Sequence, residues 1–177
     1  MPTNEKKILL FFHLFLLLFA GTSFSQDNLV LRRGGNVPFT INSFNKYEKG
    51  EQLDEWTRFD VFITGLGAAD NWRLEVSTND TEIKGDYYFH DLDLNFIQVK
   101  ADAFNIEPGT AIINYYIAHP DFIELTYGPQ ILLSGTGNVT FQLNISYNIG
   151  TDTDKPLLGQ PPGYYFVNLY FDLIADD

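Results

Sequence analysis

The chain contains no cysteine. That absence excludes disulfides, thiolate metal centres, a cysteine nucleophile and a lipid-modified cysteine. Histidine is nearly as scarce, with only His90 and His119 beyond His13. Asp91 and Asp121 could orient these two imidazoles. However, neither histidine belongs to a His-x-x-x-His pair, and no Gly-x-Ser-x-Gly elbow occurs. Basic residues are few: 11 against 23 acidic ones, a net charge of −12. Past Lys7 the one adjacent basic pair is Arg32-Arg33, so the surface repels a phosphate backbone and nucleic-acid binding is not expected.

Long apolar runs are absent except at the start. Lys6-Lys7 precede thirteen residues, Ile8 to Ala20, interrupted by His13 alone, and then small and polar residues through Gln26. This is the pattern of a secretory signal peptide, with Ser23 and Ser25 at the −3 and −1 sites and residues 1–25 removed. As a helix the run would reach about 20 Å, short of the roughly 30 Å hydrocarbon core. No second stretch is long enough to span, so no membrane span is expected after cleavage. Losing Lys6, Lys7 and Glu5 leaves nine basic and 22 acidic residues, a net charge near −13. About 150 residues suffice for one self-sufficient core, so residues 26–177 are expected to form a single exported domain, periplasmic, at the cell surface or extracellular.

The dominant pattern is alternation. Val139, Phe141, Leu143, Ile145, Tyr147 and Ile149 are apolar or aromatic, whereas Thr140, Gln142, Asn144, Ser146 and Asn148 are polar. Side chains on a strand point to opposite faces in turn, so this segment predicts a strand with one buried and one wet face. The same alternation places Phe59, Val61 and Ile63 on one face, Trp72, Leu74 and Val76 on another, and Val37, Phe39 and Ile41 on a third. Leu29–Leu31 reads as a short first strand. The run Leu92, Leu94, Phe96 changes phase at Ile97 and Val99, which predicts a bulge. Ala111–Ala118 suits a buried strand or a short helix. Ile123 to Tyr127 and Ile131–Leu133 read as two short strands around Gly128-Pro129. Tyr164 to Ile174 closes the chain as one alternating strand. Gly34-Gly35, Gly65–Gly67, Pro108-Gly109, Gly135–Gly137 and Pro161–Gly163 punctuate these runs as turns. Short strands, regular turns and no long helical pattern predict an all-β, antiparallel sandwich of roughly seven to nine strands.

Two motifs carry a family resemblance. Asn71-Trp72-Arg73-Leu74-Glu75-Val76 has the Trp-x-Leu form of the first motif of WxL surface domains. Pro162-Gly163-Tyr164-Tyr165 leads into a strand like their closing one, with Phe171 and Leu173 where a second Trp-x-Leu would stand. Spore coat protein U and fimbrial subunits close on a similar Gly-x-Tyr strand. The resemblance implies an Ig-like or pilin-like secreted sandwich, with Trp72, Leu74, Phe171 and Leu173 in its core. It departs at Phe171, which weighs against the peptidoglycan role of WxL domains. The missing disulfide and the short Gln26–Asn36 segment separate it from chaperone–usher pilins.

Three features remain as candidate sites. Tyr164, Phe166 and Tyr170 share the outer phase of the last strand. Either they are covered, or they form a surface for a sugar or a partner subunit. Asp152 and Asp154 in Gly150–Asp154 could supply hard-oxygen ligands to calcium, but the twelve-residue loop pattern is missing, and the alternative is a solvated turn. Asn79, Asn138 and Asn144 begin glycosylation sequons, for which the polar phase of Asn144 predicts exposure. The composition singles out no pair of catalytic carboxylates. These features suggest a non-enzymatic structural or adhesive subunit that pairs with other chains at the cell surface. The alternatives are a module binding cell-wall polysaccharide and a hydrolase of unknown chemistry.

Overall fold

The computed structural model describes residues 26–86, 91–106, 113–114, 121–152, 154–161 and 163–176. The expected signal peptide, His90, His119, Pro108-Gly109 and most of Ala111–Ala118 lie outside them. The strands are β1 (Gln26–Arg33), β2 (Glu51–Thr64), β3 (Asn71–Ser77), β4 (Glu82–Gly85), β5 (Leu92–Asp93), β6 (Ile97–Phe104), β7 (Ile113–Asn114), β8 (Ile123–Glu124), β9 (Gln130–Thr136), β10 (Val139–Ile149), β11 (Tyr165–Phe166) and β12 (Tyr170–Asp176). One helix, α1 (Phe44–Lys49), precedes β2. All pairings are antiparallel. One sheet has the order β1-β2-β10-β6-β8, a second β12-β3-β9-β7, and a small third β11-β4-β5.

The two larger sheets face each other through aromatic contacts. Trp72 of β3 stacks on Phe141 of β10 with centroids 5.7 Å apart, and Phe59 of β2 meets Phe171 of β12 at 5.2 Å. The inward residues expected from alternation supply this core: Phe59, Val61, Ile63, Trp72, Leu74, Val76 and Val139 through Ile149 in odd phase are all buried. The fold is therefore the all-β sandwich that the periodicity predicts, with each sheet burying one face against the other.

Several local expectations change. The polar face of β10 is wet only in its first half: Thr140 and Gln142 are half-exposed, whereas Asn144, Ser146 and Asn148 are buried. β10 lies in the middle of its sheet, between β2 and β6. Arg58, opposite Asn144, donates to its Oδ1 at 3.0 Å and stacks on Phe104 of β6. A sequon at Asn144 is thus buried in the fold, and Asn138 Oδ1 is committed to the Leu66 N–H at 2.8 Å. Asn79 is exposed. The phase change before β6 is made by a 3₁₀ turn, Leu94–Phe96, not by a bulge. Tyr164–Ile174 is two paired strands, β11 and β12, separated by residues 167–169. Val37–Ile41 joins no sheet.

Tyr147 shows how the core fixes the chain's path. Its buried hydroxyl donates to Thr57 Oγ1 at 2.9 Å, and Thr57 Oγ1 donates to the Gly34 carbonyl at 2.7 Å. Burial pushes the Tyr147 hydroxyl from 10.0 up to about 12, against the opposing hydrogen bond with Thr57. The unfolded chain therefore loses this proton first. Stability is intact below about pH 10 and falls as pH rises towards about 12, by up to roughly 3 kcal/mol from this group. Urea unfolding of the wild type and Tyr147→Phe at about pH 9 and about pH 11.5 tests this. The variant is expected to lose less stability over that interval; equal losses would contradict it.

Candidate functional site

The site begins with a break in β2. Thr57 pairs with Ile145 and Leu53 with Tyr147, so residues 54–56 bulge against Ser146 alone. Ser146 Oγ accepts from the Glu55 N–H at 2.9 Å, replacing the lost ladder bond, and Glu55 takes a left-handed φ of 47°. A bulge bends its strand and ends regular pairing. β1 accordingly follows β2 only as far as the pair Arg33–Arg58. At Gly34 the chain leaves the sheet with φ +75°, where a Cβ would lie 2.4 Å from the Trp56 carbonyl oxygen.

From Gly34 to Asn42 the chain forms a strap. Val37, Phe39 and Ile41 are half-buried against the core, while Asn36, Pro38, Thr40 and Asn42 are exposed. Side chains, not a strand ladder, hold its backbone. Trp56 Nε1 donates to the Asn36 carbonyl at 2.7 Å and Lys46 Nζ to the Thr40 carbonyl at 2.8 Å. The Thr40 N–H donates to Glu51 Oε2, and Glu51 is also paired with Lys46. Ser43 caps α1 by accepting from the Lys46 N–H, which fixes the strap's far end.

The facing wall is residues 164–171. Tyr165, Val167, Leu169 and Phe171 pack on the core, while Tyr164, Phe166, Asn168 and Tyr170 are exposed. The backbone of this wall bonds to β4, β3, Asp86 and Asp80, not to the strap. β11 pairs with β4 and β12 with β3, and Asp86 and Asp80 accept from the Tyr164 and Asn168 N–H groups at 3.0 and 3.1 Å. Burial first, then the charges of Tyr47, Asp86 and Asp91, push the Tyr165 hydroxyl upward; it donates to the Pro161 carbonyl at 2.7 Å.

Between strap and wall lies a groove of about 880 Å³, also lined by Leu29 and Leu31 of β1. Its floor is sealed: Phe59, Ile83, Tyr147 and Ile149 are each at most 6% exposed. The groove therefore lies on the core without entering it. It is flanked by β1 and β12, the edge strands of opposite sheets. On β1, Arg32 is held at 2.6 Å to Asp60. Burial works against ionisation of Asp60, but bonds from Arg32 and Gln142 and the charges of Arg32 and Arg58 outweigh it and hold the carboxyl low.

The structure brings Tyr164 and Phe166 to the rim, 82% and 59% exposed, with Tyr170 further along at 46%. Of the motif residues, Trp72 and Leu74 are buried, while Phe171 and Leu173 are half-buried against the core. Asp152 and Asp154 sit apart from the groove lining in one turn, with Asp152 Oδ1 accepting from the Asp154 N–H at 3.0 Å. Among the described residues no group of three or more His, Asp or Glu could hold a metal, and no helix is long and apolar enough to cross a membrane. Lys46, Glu51 and Trp56 were not legible as site residues, because they act through the backbone of the strap, which the sequence does not place beside them; the local signal was Gly34-Gly35 alone. No protein-family model and no curated protein matches this chain.

Proposed function

We propose that this chain is an exported, non-enzymatic structural or adhesive subunit that assembles with further copies of itself at the open side of its sandwich. One observation carries the reading: an apolar groove lies between the strap and residues 164–171, beside the edge strands β1 and β12, with Leu31, Tyr164 and Phe166 exposed on its rim. Unpaired strand edges present backbone donors and acceptors to another chain, and apolar side chains beside them add a packing surface. A periplasmic or cell-surface setting follows from the leader at residues 1–25. The pilin-like resemblance points the same way.

Light scattering after size exclusion, across a concentration series, tests it. The wild type is expected to pass from monomer to larger species, and Tyr164→Ser with Phe166→Ser to stay monomeric at the same concentrations. A wild type that remains monomeric throughout would sink the proposal. A second reading is favoured by Tyr164 and Phe166, both exposed and two residues apart, about 7 Å along an extended chain. Such a pair suits sugar rings of a cell-wall polysaccharide. Retention of the wild type, but not the double variant, on purified cell wall would favour that reading if the protein does not self-associate.

A further inference from the structure

The groove is apolar along its walls and acidic beside one end. None of its lining residues is charged, so a bare ion has no partner inside it. Its volume of about 880 Å³ lies within the roughly 300–1,000 Å³ of small-molecule sites. Four aromatic side chains take part in the lining: Tyr47 of α1, and Tyr164, Tyr165 and Phe166 of the wall. After burial, the charges that push the Tyr165 hydroxyl upward come from Tyr47, Asp86 and Asp91, which places all three groups near this end. Asp86 is the closest of the acids to the lining. Its Oδ1 accepts from the Tyr164 N–H at 3.0 Å, and a Cβ on the lining residue Gly163 would lie 2.7 Å from the same oxygen. Asp86 is exposed and has no ion-pair partner among the described residues. The neighbouring cations are engaged elsewhere, Lys84 with Asp91 and Glu82 and Lys46 with Glu51.

We infer that the groove binds a single-chain amphiphile with a positively charged head: the alkyl body lies along the apolar walls, and an ammonium group sits beside Asp86 among the tyrosines. Each part of that ligand matches one part of the site. The uncharged lining suits an alkyl chain, whose removal from water is favourable. Aromatic faces attract an ammonium through their negative potential, and the Asp86 carboxylate adds a full opposite charge. A net charge of −12 concentrates cations and repels anions around the chain, which sets the sign of the head. Neither wall has to move, because Tyr164 and Phe166 leave the rim accessible at 82% and 59% exposed. The inference goes beyond the assembly reading and does not rest on it, since one chain supplies every contact.

Three probes with the same eight-carbon tail test it: octyltrimethylammonium, octyl sulfate and 1-octanol, each below micelle-forming concentration and in low salt. The NMR methyl signals of Val37, Val167 and Leu169, which line the groove, report its occupancy. The ammonium is expected to bind at least about tenfold more tightly than the sulfate, with the alcohol between them. Asp86→Asn keeps an oxygen for the Tyr164 N–H and should cut that ratio to about threefold, with octanol binding unchanged. Asp154→Asn removes the same charge from a turn away from the lining and should leave the ratio as it is. Tyr164→Leu replaces an exposed ring and should weaken the ammonium alone, by about threefold. That variant decides the question if Asp86→Asn unfolds in urea well below the wild type. Sulfate bound as tightly as ammonium, or groove methyls unmoved by every probe, would overturn the inference. So would an unchanged ratio in Asp86→Asn, or equal effects of Asp86→Asn and Asp154→Asn, which would assign the preference to the overall charge. The titrations use dilute protein, so failure of assembly at higher concentration leaves this result readable.

Discussion

Truncating Trp72 to alanine is expected to lower the unfolding free energy by about 3–5 kcal/mol. The indole is 1% exposed and stacks on Phe141, joining β3 of one sheet to β10 of the other. Both strands are central, so surrounding ladders restrict how far the backbone can relax into the space left behind. The loss includes the transfer of the ring and the cavity it leaves. Against a domain stability of roughly 5–15 kcal/mol, that is a large fraction. Trp72→Phe isolates the packing term. The indole Nε1 has no hydrogen-bond partner among the described residues, so phenylalanine gives up no such bond and should lose well under half as much. Urea unfolding followed by circular dichroism measures both. Equal losses for the two variants would mean that ring packing is not what Trp72 contributes.

Gly50→Ala is expected to destabilise by about 3 kcal/mol. Gly50 ends α1 and begins β2 with φ 73° and ψ −169°, a region that is essentially reserved for glycine. A Cβ there would stand 2.2 Å from the Ile149 carbonyl oxygen and 2.5 Å from the Gly150 carbonyl carbon. These are backbone atoms at the end of the β2–β10 ladder, where Ile149 pairs with Glu51, so they cannot swing aside. Gly128 provides the contrast, with φ +85° but nothing within 4 Å of its Cβ position. Gly128→Ala carries only the left-handed penalty, about 1–2 kcal/mol. If the two variants lost the same stability, backbone crowding at Gly50 would be unimportant.

The inward faces of β2, β3 and β10 were readable because alternation is a local property. A residue's face follows from its neighbours two positions away, whatever the strand pairs with. Trp72 and Phe141 were thus assignable to the core before their contact was known. The outer faces were not readable in the same way. Asn144, Ser146 and Asn148 have the polarity of a wet surface, yet they are buried in the middle strand of the sheet, where Arg58 bonds Asn144 and the Glu55 N–H bonds Ser146. Conversely, Tyr164 and Phe166 look as if they require cover and do not receive it.

The sequence by itself determined the β class, the three central inward faces, the acidic cysteine-free composition and the leader-like start. These depend on residue type and on spacing within one segment. The tertiary structure alone decided which strands are edges and where β2 bulges. It also decided that the alternating run Val37–Ile41 becomes a strap and that the closing strand divides at residues 167–169. Each of these depends on the backbone groups another segment offers: β2 bulges opposite Ser146, and Asp80 takes the Asn168 N–H that would otherwise continue a ladder. Contacts between distant segments leave no period in the sequence, and the candidate groove is made from such contacts.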